Sequence, residues 1–161
     1  MAVLEVLKAG HPTLKAVAEP VEFVNKKMRA VLDDMAETMY ATDGVGLAAP
    51  PIGLSQRMIV LDDGNGLMKL INPEIVKMEG SQVGPEGCLS VPGFFGDVDR
   101  AMYVTVNAIN EHNKKVHIKA EGFLARILQH EIDHLDGHLF IEKAINLHQQ
   151  VNSSADELAT K

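Results

Sequence analysis

The spacing of apolar residues predicts a first long helix from about Lys26 to Ala41. The apolar positions that recur at helical spacing are Met28, Val31, Leu32, Met35 and Met39. A stripe repeating every three or four residues is the pattern of one buried helix face. Asn25 is a suitable N-cap for this helix, and Asp43 and Gly44 are residues that end a helix and begin a loop.

A second strong helix is predicted from near Gly122 or Phe123 to about Asp136, where Gly137 would stop it. Its apolar residues lie on several sides of the helix and are Leu124, Ile127, Leu128, Ile132 and Leu135. Such a helix is buried in a core. A third helical stretch is predicted from about Leu139 to Val151.

Between these helices the chain contains short runs with strand-like composition. The predicted strands are Met58 to Leu61, Lys69 to Ile71, Ile75 to Met78, Met102 to Ile109 and Lys115 to Lys119. Turn residues follow the first run and separate the last two, which indicates hairpins. Few helices, several short strands and no strand–helix–strand alternation predict an α+β fold. We expect mostly antiparallel short sheets packed around the central second helix, with a C-terminal helix after it.

Composition changes this picture little and mainly excludes classes of function. The chain has 161 residues with 46% hydrophobic and 23% charged residues, which is typical of one globular domain. A formal net charge of −7 argues against nucleic-acid binding as its main activity. No apolar run approaches the roughly 20 residues of a membrane-spanning helix, and the N-terminus lacks a signal-peptide pattern. The expected location is therefore the cytoplasm, with no membrane partner.

The strongest chemical signal lies on the second predicted helix, in the sequence QHEIDHLDG from Gln129 to Gly137. His130 and His134 are four positions apart, so both project from one helix face, about 5–6 Å apart at Cβ. Two imidazoles in this arrangement can bind one metal ion. Glu131 lies beside them and could act as general base on a water molecule. The pattern predicts a hydrolytic metal site.

A stable catalytic site needs a third protein ligand. His138 continues the series, but eight residues of helix rise about 12 Å, which is too far for one tetrahedral centre. A distant carboxylate is one alternative. Cys88, the single cysteine, is the other; it lies in the sequence EGCLS from Glu86 to Ser90. A thiolate beside two imidazoles suits Zn²⁺ or Fe²⁺.

Three segments together resemble the peptide deformylase family: GVGLAAP at 44–50, EGCLS at 86–90 and QHEIDHLDG at 129–137. Their order and spacing also fit that family. The resemblance implies a metal-dependent hydrolase that removes the formyl group from the N-terminal formyl-methionine of new polypeptides. It further implies a single catalytic domain over residues 1–150, followed by a polar C-terminal tail at 151–161. Nascent formylated peptides, met at the ribosome, would be its partners.

The resemblance also assigns roles to individual residues. It implies Cys88, His130 and His134 as ligands of one divalent metal ion, with Fe²⁺ expected and Zn²⁺ or Ni²⁺ as alternatives. Glu131 would be the general acid/base, and the backbone N–H of Leu89 an oxyanion donor. Gly44, Val45 and Gly46 match the loop that lies along the substrate, and these three residues are therefore predicted substrate contacts.

The chain departs from the family at Pro51, where the family carries a glutamine that donates a hydrogen bond to the formyl oxygen. Proline has no side-chain donor and no backbone N–H, and loss of one oxyanion donor typically costs ~10²–10³ in turnover. Pro51 is also expected to hold Pro50 in an extended conformation. Two hypotheses follow: a working deformylase, slower than its relatives, or a deformylase-fold protein that binds metal with weak or no activity. A zincin-type endopeptidase fits Cys88 poorly.

Overall fold

The computed structural model describes residues 3–149, and these residues form two α-helices and eight β-strands. The helices are α1 (Lys26–Ala41) and α2 (Gly122–Leu135). The strands are β1 (Gly46–Ala48), β2 (Met58–Asp62), β3 (Leu67–Glu79), β4 (Gln82–Cys88), β5 (Val91–Arg100), β6 (Tyr103–Ile109), β7 (Lys115–Glu121) and β8 (Ile145–Gln149). None of these helices combines the length and apolar character needed to cross a membrane.

The first helix forms as predicted. The Asn25 side chain accepts a hydrogen bond from the backbone N–H of Met28 at 2.9 Å, which satisfies a donor of the first turn. Leu32, Met35 and Met39 are fully buried against the sheet. The helix therefore covers one side of the central core through the predicted apolar stripe.

All strand pairs within the two sheets are antiparallel. One sheet has five strands in the order β1-β2-β3-β6-β7, and the other has three in the order β4-β5-β8. The predicted runs at 69–71 and 75–78 are parts of one long strand, β3, whose register against β6 shifts between Ile71 and Glu74 and again between Ile75 and Lys77. The Gly- and Pro-rich segment 80–97, for which no strand was predicted, forms most of the β4–β5 hairpin.

Helix α2 is buried as predicted and packs against the five-stranded sheet. Ala125, Leu128 and Leu135 have no exposed surface, and they share a core with residues of β1, β2 and β6. The helix ends before Gly137, whose φ of +81° favours glycine. A Cβ at this position would lie 2.5 Å from the carbonyl oxygen of Lys15, so the N-terminal segment can pack there only against glycine.

The prediction of a helix from Leu139 to Val151 is wrong over the described residues. A 3-10 turn at Phe140–Glu142 is followed by strand β8, which pairs with β5. The apolar residues of this stretch do not share one face: Phe140 is buried in a small core, whereas Ile145 is 57% exposed on the edge strand. Asn146 also adopts a φ of +55°, which a helix excludes. The predicted tail at 151–161 lies outside the described residues, whereas the predicted α+β class is confirmed.

Candidate metal centre and active site

The structure brings together the three side chains predicted to bind a metal. The histidine rings of α2 lie with centroids 5.1 Å apart, and Cys88, at the end of β4, approaches them from the other sheet. Cys88 Sγ is 3.4 Å from Nε2 of His134, and the ligand atoms of Cys88, His130 and His134 all lie within 4.8 Å of one another. One thiolate and two imidazoles converging in this way fit a divalent transition metal.

His138 is not part of this cluster. Its side chain is half exposed, and its Nδ1 lies 3.1 Å from a carboxylate oxygen of Glu142. This position agrees with the expectation that His138 lies too far along the chain to share a centre with His130, and Gly137 ends the helix before it.

Glu86 orients one of the candidate ligands. Its Oε1 lies 2.8 Å from Nδ1 of His130 and 2.9 Å from Nη2 of Arg100. Its Oε2 accepts hydrogen bonds from Nε of Arg100 at 2.9 Å and from Nη1 of Arg126 at 2.5 Å. With Nδ1 of His130 donating to the carboxylate, Nε2 keeps its lone pair for a metal.

The ionisation of Glu86 follows from these contacts. Burial alone would raise its pKa, but the hydrogen bonds from Arg100 and His130 and the charges of both groups outweigh burial. The net effect lowers the pKa of Glu86 from 4.5 to about 2. A carboxylate so held remains charged at neutral pH and keeps its acceptor role.

The two candidate histidine ligands differ in their environments. His134 is 2% exposed, and its Nδ1 has no hydrogen-bond partner among residues 3–149. Burial, together with the charges of His130 and Arg100, lowers the pKa of His134 to about 3, which keeps its imidazole neutral. Burial acts in the same direction on His130, but Cys88 and Glu86 outweigh it and raise the pKa of His130.

Glu131 lies beside the ligand cluster with 6% of its surface exposed. Burial is the largest influence on its pKa and raises it to about 7, with the charges of Glu86 and Asp133 acting in the same direction against those of His130 and Arg100. A carboxyl group with a pKa near 7 can both accept and return a proton at physiological pH.

All of the predicted site residues line one cavity of about 500 Å³. They are Gly44, Val45, Gly46, Cys88, Leu89, His130, Glu131 and His134. Ile127 of α2 also lines it. The cavity therefore joins the three segments of the sequence that carry chemistry.

The sequence analysis missed several aromatic and apolar residues at this cavity. Phe95 on β5 and Phe123 on α2 both line it, and Phe123 is 54% exposed. A helical signal for Phe123 was available, since it precedes Ile127 by four positions and His130 by seven, and so lies on the same helix face. No comparable local signal marked Phe95, which reaches the cavity through the pairing of β5 with β4.

Pro51 lines the same cavity, but the expected conformation of its neighbour is wrong. Pro50 and Pro51 begin a 3-10 turn at Pro50–Ile52 instead of an extended segment. Proline is tolerated at the start of a helical turn because the N–H groups there need no partner within the turn. The carbonyl oxygen of Pro51 accepts a hydrogen bond from the backbone N–H of Leu7 at 2.6 Å.

Comparison with known proteins places this arrangement in a family. The sequence model of the family described as polypeptide deformylase matches residues 3–150. The chain belongs to the peptide deformylase family. It is 52% identical to a peptide deformylase of Halothermothrix orenii over 153 residues, which cover 94% of this chain and 99% of that relative. It is 53% identical to a peptide deformylase of Carboxydothermus hydrogenoformans over 147 residues, covering 91% and 97% of the two chains.

Solved peptide deformylase structures share the fold. The enzyme from Thermotoga maritima superposes with a TM-score of 0.87 at 40% identity, covering 89% of this chain and 98% of that one. The Synechococcus elongatus peptide deformylase, solved in complex with actinonin, gives a TM-score of 0.86 at 38% identity, covering 89% and 79%. These comparisons confirm the predicted enzyme class, a metal-dependent peptide deformylase. They give no support to the alternative of a metal-binding protein with weak or no activity.

Proposed function

We propose that this peptide deformylase holds its metal ion with Cys88, His130 and His134 and moves the reaction's proton with Glu131. The substrate is the N-terminal formyl-methionine of a newly made polypeptide, and the reaction releases formate. One observation carries the proposal: these four side chains line one cavity. They meet there although Cys88 lies about 40 residues before the other three in sequence. A divalent ion held there would supply Lewis-acid polarisation and activate a water molecule.

Each residue around this centre has a separate proposed role. Glu131 takes a proton from the attacking water and returns it to the amine that leaves, and its pKa of about 7 suits both transfers. Leu89 follows Cys88 and lines the cavity, so its backbone N–H is proposed to donate to the oxygen on which negative charge develops. Gly44, Val45 and Gly46 lie along the cavity wall and are proposed to contact the peptide.

The finer identity of the metal and the place of action are also proposed. Fe²⁺ is the proposed ion, with Zn²⁺ and Ni²⁺ as substitutes, since thiolate and imidazole ligands accept all three. Metal analysis of protein purified without oxygen tests this assignment. We further propose that the enzyme meets its substrates as nascent chains at the ribosome in the cytoplasm, which co-sedimentation with translating ribosomes would test.

An assay of formate release from formyl-Met-Ala-Ser, with metal-loaded protein under anaerobic conditions, tests the central proposal. His134→Ala is expected to lose both bound metal and activity. Glu131→Ala is expected to keep the metal and lose activity by about 10²–10⁴-fold. His138→Ala is the matched control, because this histidine lies four residues beyond His134 and outside the cluster, and should retain metal and activity. Absence of formate release with every metal tried would refute the proposed function.

A further inference from the structure

Gly46 on β1 and Glu131 on α2 are packed so closely that a residue with a side chain would not fit at position 46. A Cβ at Gly46 would lie 2.7 Å from Oε2 and 2.9 Å from Cγ of Glu131, and 3.0 Å from Cγ2 of Ile127. Real Cβ atoms essentially never approach other atoms within 3.0 Å. The carboxylate of Glu131 therefore occupies the space that a side chain at position 46 would fill.

Among residues 3–149, the Glu131 carboxylate is held in place by packing and not by hydrogen bonds. The structure records no hydrogen bond or ion pair to the Glu131 side chain in that part of the chain, in contrast to the neighbouring Glu86, which accepts hydrogen bonds from three side chains. Glu131 is nevertheless 6% exposed. Its position is consequently sensitive to the shape of the surfaces around it, of which Gly46 is one.

The backbone on either side of this contact has little room to move. Gly46 pairs with Leu61 of β2, and the carbonyl of the preceding Val45 accepts a hydrogen bond from Asp62 at 2.9 Å. Ala48 of β1 is fully buried in the same core as Ile127 of α2, so strand and helix are held together. Because both elements are fixed by the core, an added methyl group at position 46 would displace the Glu131 side chain.

We propose that Gly46 is a positioning residue for Glu131. Because Gly46 has no side chain, it leaves open the space in which the Glu131 carboxylate is held for proton transfer. The proposal rests on the proposed role of Glu131 and is separate from the contact that Gly46 is expected to make with substrate. It gives a steric reason for glycine at a position whose backbone conformation does not itself require glycine, since Gly46 is not among the residues with positive φ.

The size of the effect follows from the geometry. To reach an ordinary contact distance of 3.4 Å, Oε2 must move by about 0.7 Å from its present 2.7 Å. Rotation of the carboxylate alone cannot relieve the contact, because Cγ is also too close. Displacement of a reacting group by about 1 Å can reduce the rate about 10²-fold. We expect Gly46→Ala to lower kcat by about this factor while KM changes by less than about threefold.

A double-mutant cycle with Glu131→Ala separates this role from the alternatives. Glu131→Ala removes Oε2 and Cγ, so that only the contact of the added methyl group with Cγ2 of Ile127 at 3.0 Å remains, and adding Gly46→Ala should then change the single-turnover rate by less than about twofold. The thermal unfolding midpoint should show the same pattern, with a smaller decrease on Gly46→Ala in the Glu131→Ala background than in the parent protein. Gly96→Ala is the steric control: a Cβ there would lie 2.8 Å from Ala144 Cβ, away from the cavity. It should lower the unfolding midpoint with kcat unchanged.

Three results would overturn or redirect the inference. An unchanged kcat in Gly46→Ala would refute it. An equal loss of rate in both backgrounds would also refute it, since the methyl group would then act on the substrate or the strand. Full activity in Glu131→Ala would instead refute the proposed catalytic role of Glu131, which is a separate failure of the proposed function.

Discussion

The substitution Glu86→Gln tests whether the buried ion network holds the metal centre in place. It keeps the size of the side chain but removes its charge and replaces one acceptor oxygen with a donor. Whichever way the new amide faces, its NH₂ group meets two donors: Arg100 and His130 on one side, or Arg100 and Arg126 on the other. The change therefore breaks the ion network in either orientation, and it also removes the hydrogen bond from His130 when the NH₂ group takes the place of Oε1.

The magnitude can be worked from the burial and the remaining partners. The side chains of Glu86 and Arg100 are 5% and 2% exposed, so solvent cannot replace the lost interactions. Arg100 keeps Asp133 at 2.6 Å, and Arg126 keeps the carbonyl oxygens of Gln82 and Val98. Removal of one partner from a buried ion pair costs about 3–5 kcal/mol. At about 2–4 °C per kcal/mol for a chain of this length, the unfolding midpoint should fall by about 6–20 °C.

Two measurements on the same protein check this prediction. Thermal unfolding followed by circular dichroism reports the stability. Competition with a chelator reports the metal affinity, which should fall about 10–100-fold because the group that orients His130 loses its negative charge. Asp136→Asn is the matched control. It removes a carboxylate that pairs with Arg57 at 2.9 Å but is 45% exposed, and Arg57 keeps the carbonyls of Ala18 and Leu135. The control should cost no more than about 1 kcal/mol and leave metal affinity unchanged.

The reasoning would be refuted if Glu86→Gln unfolded within about 2 °C of the parent protein, which corresponds to less than about 1 kcal/mol. A large loss of stability with unchanged metal affinity would refute only the part of the argument that concerns His130. Equal effects of Glu86→Gln and Asp136→Asn would mean that the position of the charge within the fold does not matter.

Three further predictions concern the same region. The pKa of Glu86 in the folded state is lowered to about 2, so its contribution to stability is complete above pH 4.5 and is lost as the pH falls towards 2. Urea unfolding at several pH values measures this dependence, which should be weaker in Glu86→Gln. Pro51→Gln adds a side-chain donor at the cavity and is expected to raise the rate of formate release at least about tenfold, whereas an unchanged rate would show that the donor is not needed. Gln129→Leu removes three hydrogen bonds to the backbone of Ala101 and Ala125, and should lower stability by about 1–3 kcal/mol in thermal unfolding with little change in KM.

Local spacing determines the parts of the fold and of the site that could be predicted from sequence. The histidines of α2 face one centre because helical geometry requires it, and Asn25 caps α1 because its side chain reaches an N–H three residues on. The helix predicted after Leu139 failed for the opposite reason. Its apolar residues satisfied helical spacing by coincidence, and pairing of β8 with β5 decided the conformation.

The hydrogen-bond network that supports the ligands could not be predicted from the sequence. Glu86 contacts Arg100 and Arg126, which lie 14 and 40 residues away in sequence. The contact with Arg100 crosses the β4–β5 hairpin, which forms in a Gly- and Pro-rich segment without an alternating apolar pattern, and the contact with Arg126 joins β4 to α2. Long-range pairing of this kind leaves no periodic signal, so the sequence analysis found the candidate ligands but not what orients them.

The two buried glutamates of the site show how one residue type acquires two roles. Both are more than nine-tenths buried, and burial favours the neutral form of each. Against burial, the hydrogen bonds and charges of Arg100 and His130 lower the pKa of Glu86 to about 2, and it serves as a fixed negative charge. Glu131 accepts no such hydrogen bonds within the described residues, so burial outweighs the charges of His130 and Arg100 and its pKa rises to about 7. Opposite shifts of two neighbouring carboxyl groups distinguish the group that orients His130 from the group proposed to carry the proton. The difference lies in the hydrogen bonds that Glu86 accepts, and because the charge of Arg100 lowers the pKa of both carboxyl groups, loss of Arg100 is expected to raise the pKa of Glu86 and of Glu131.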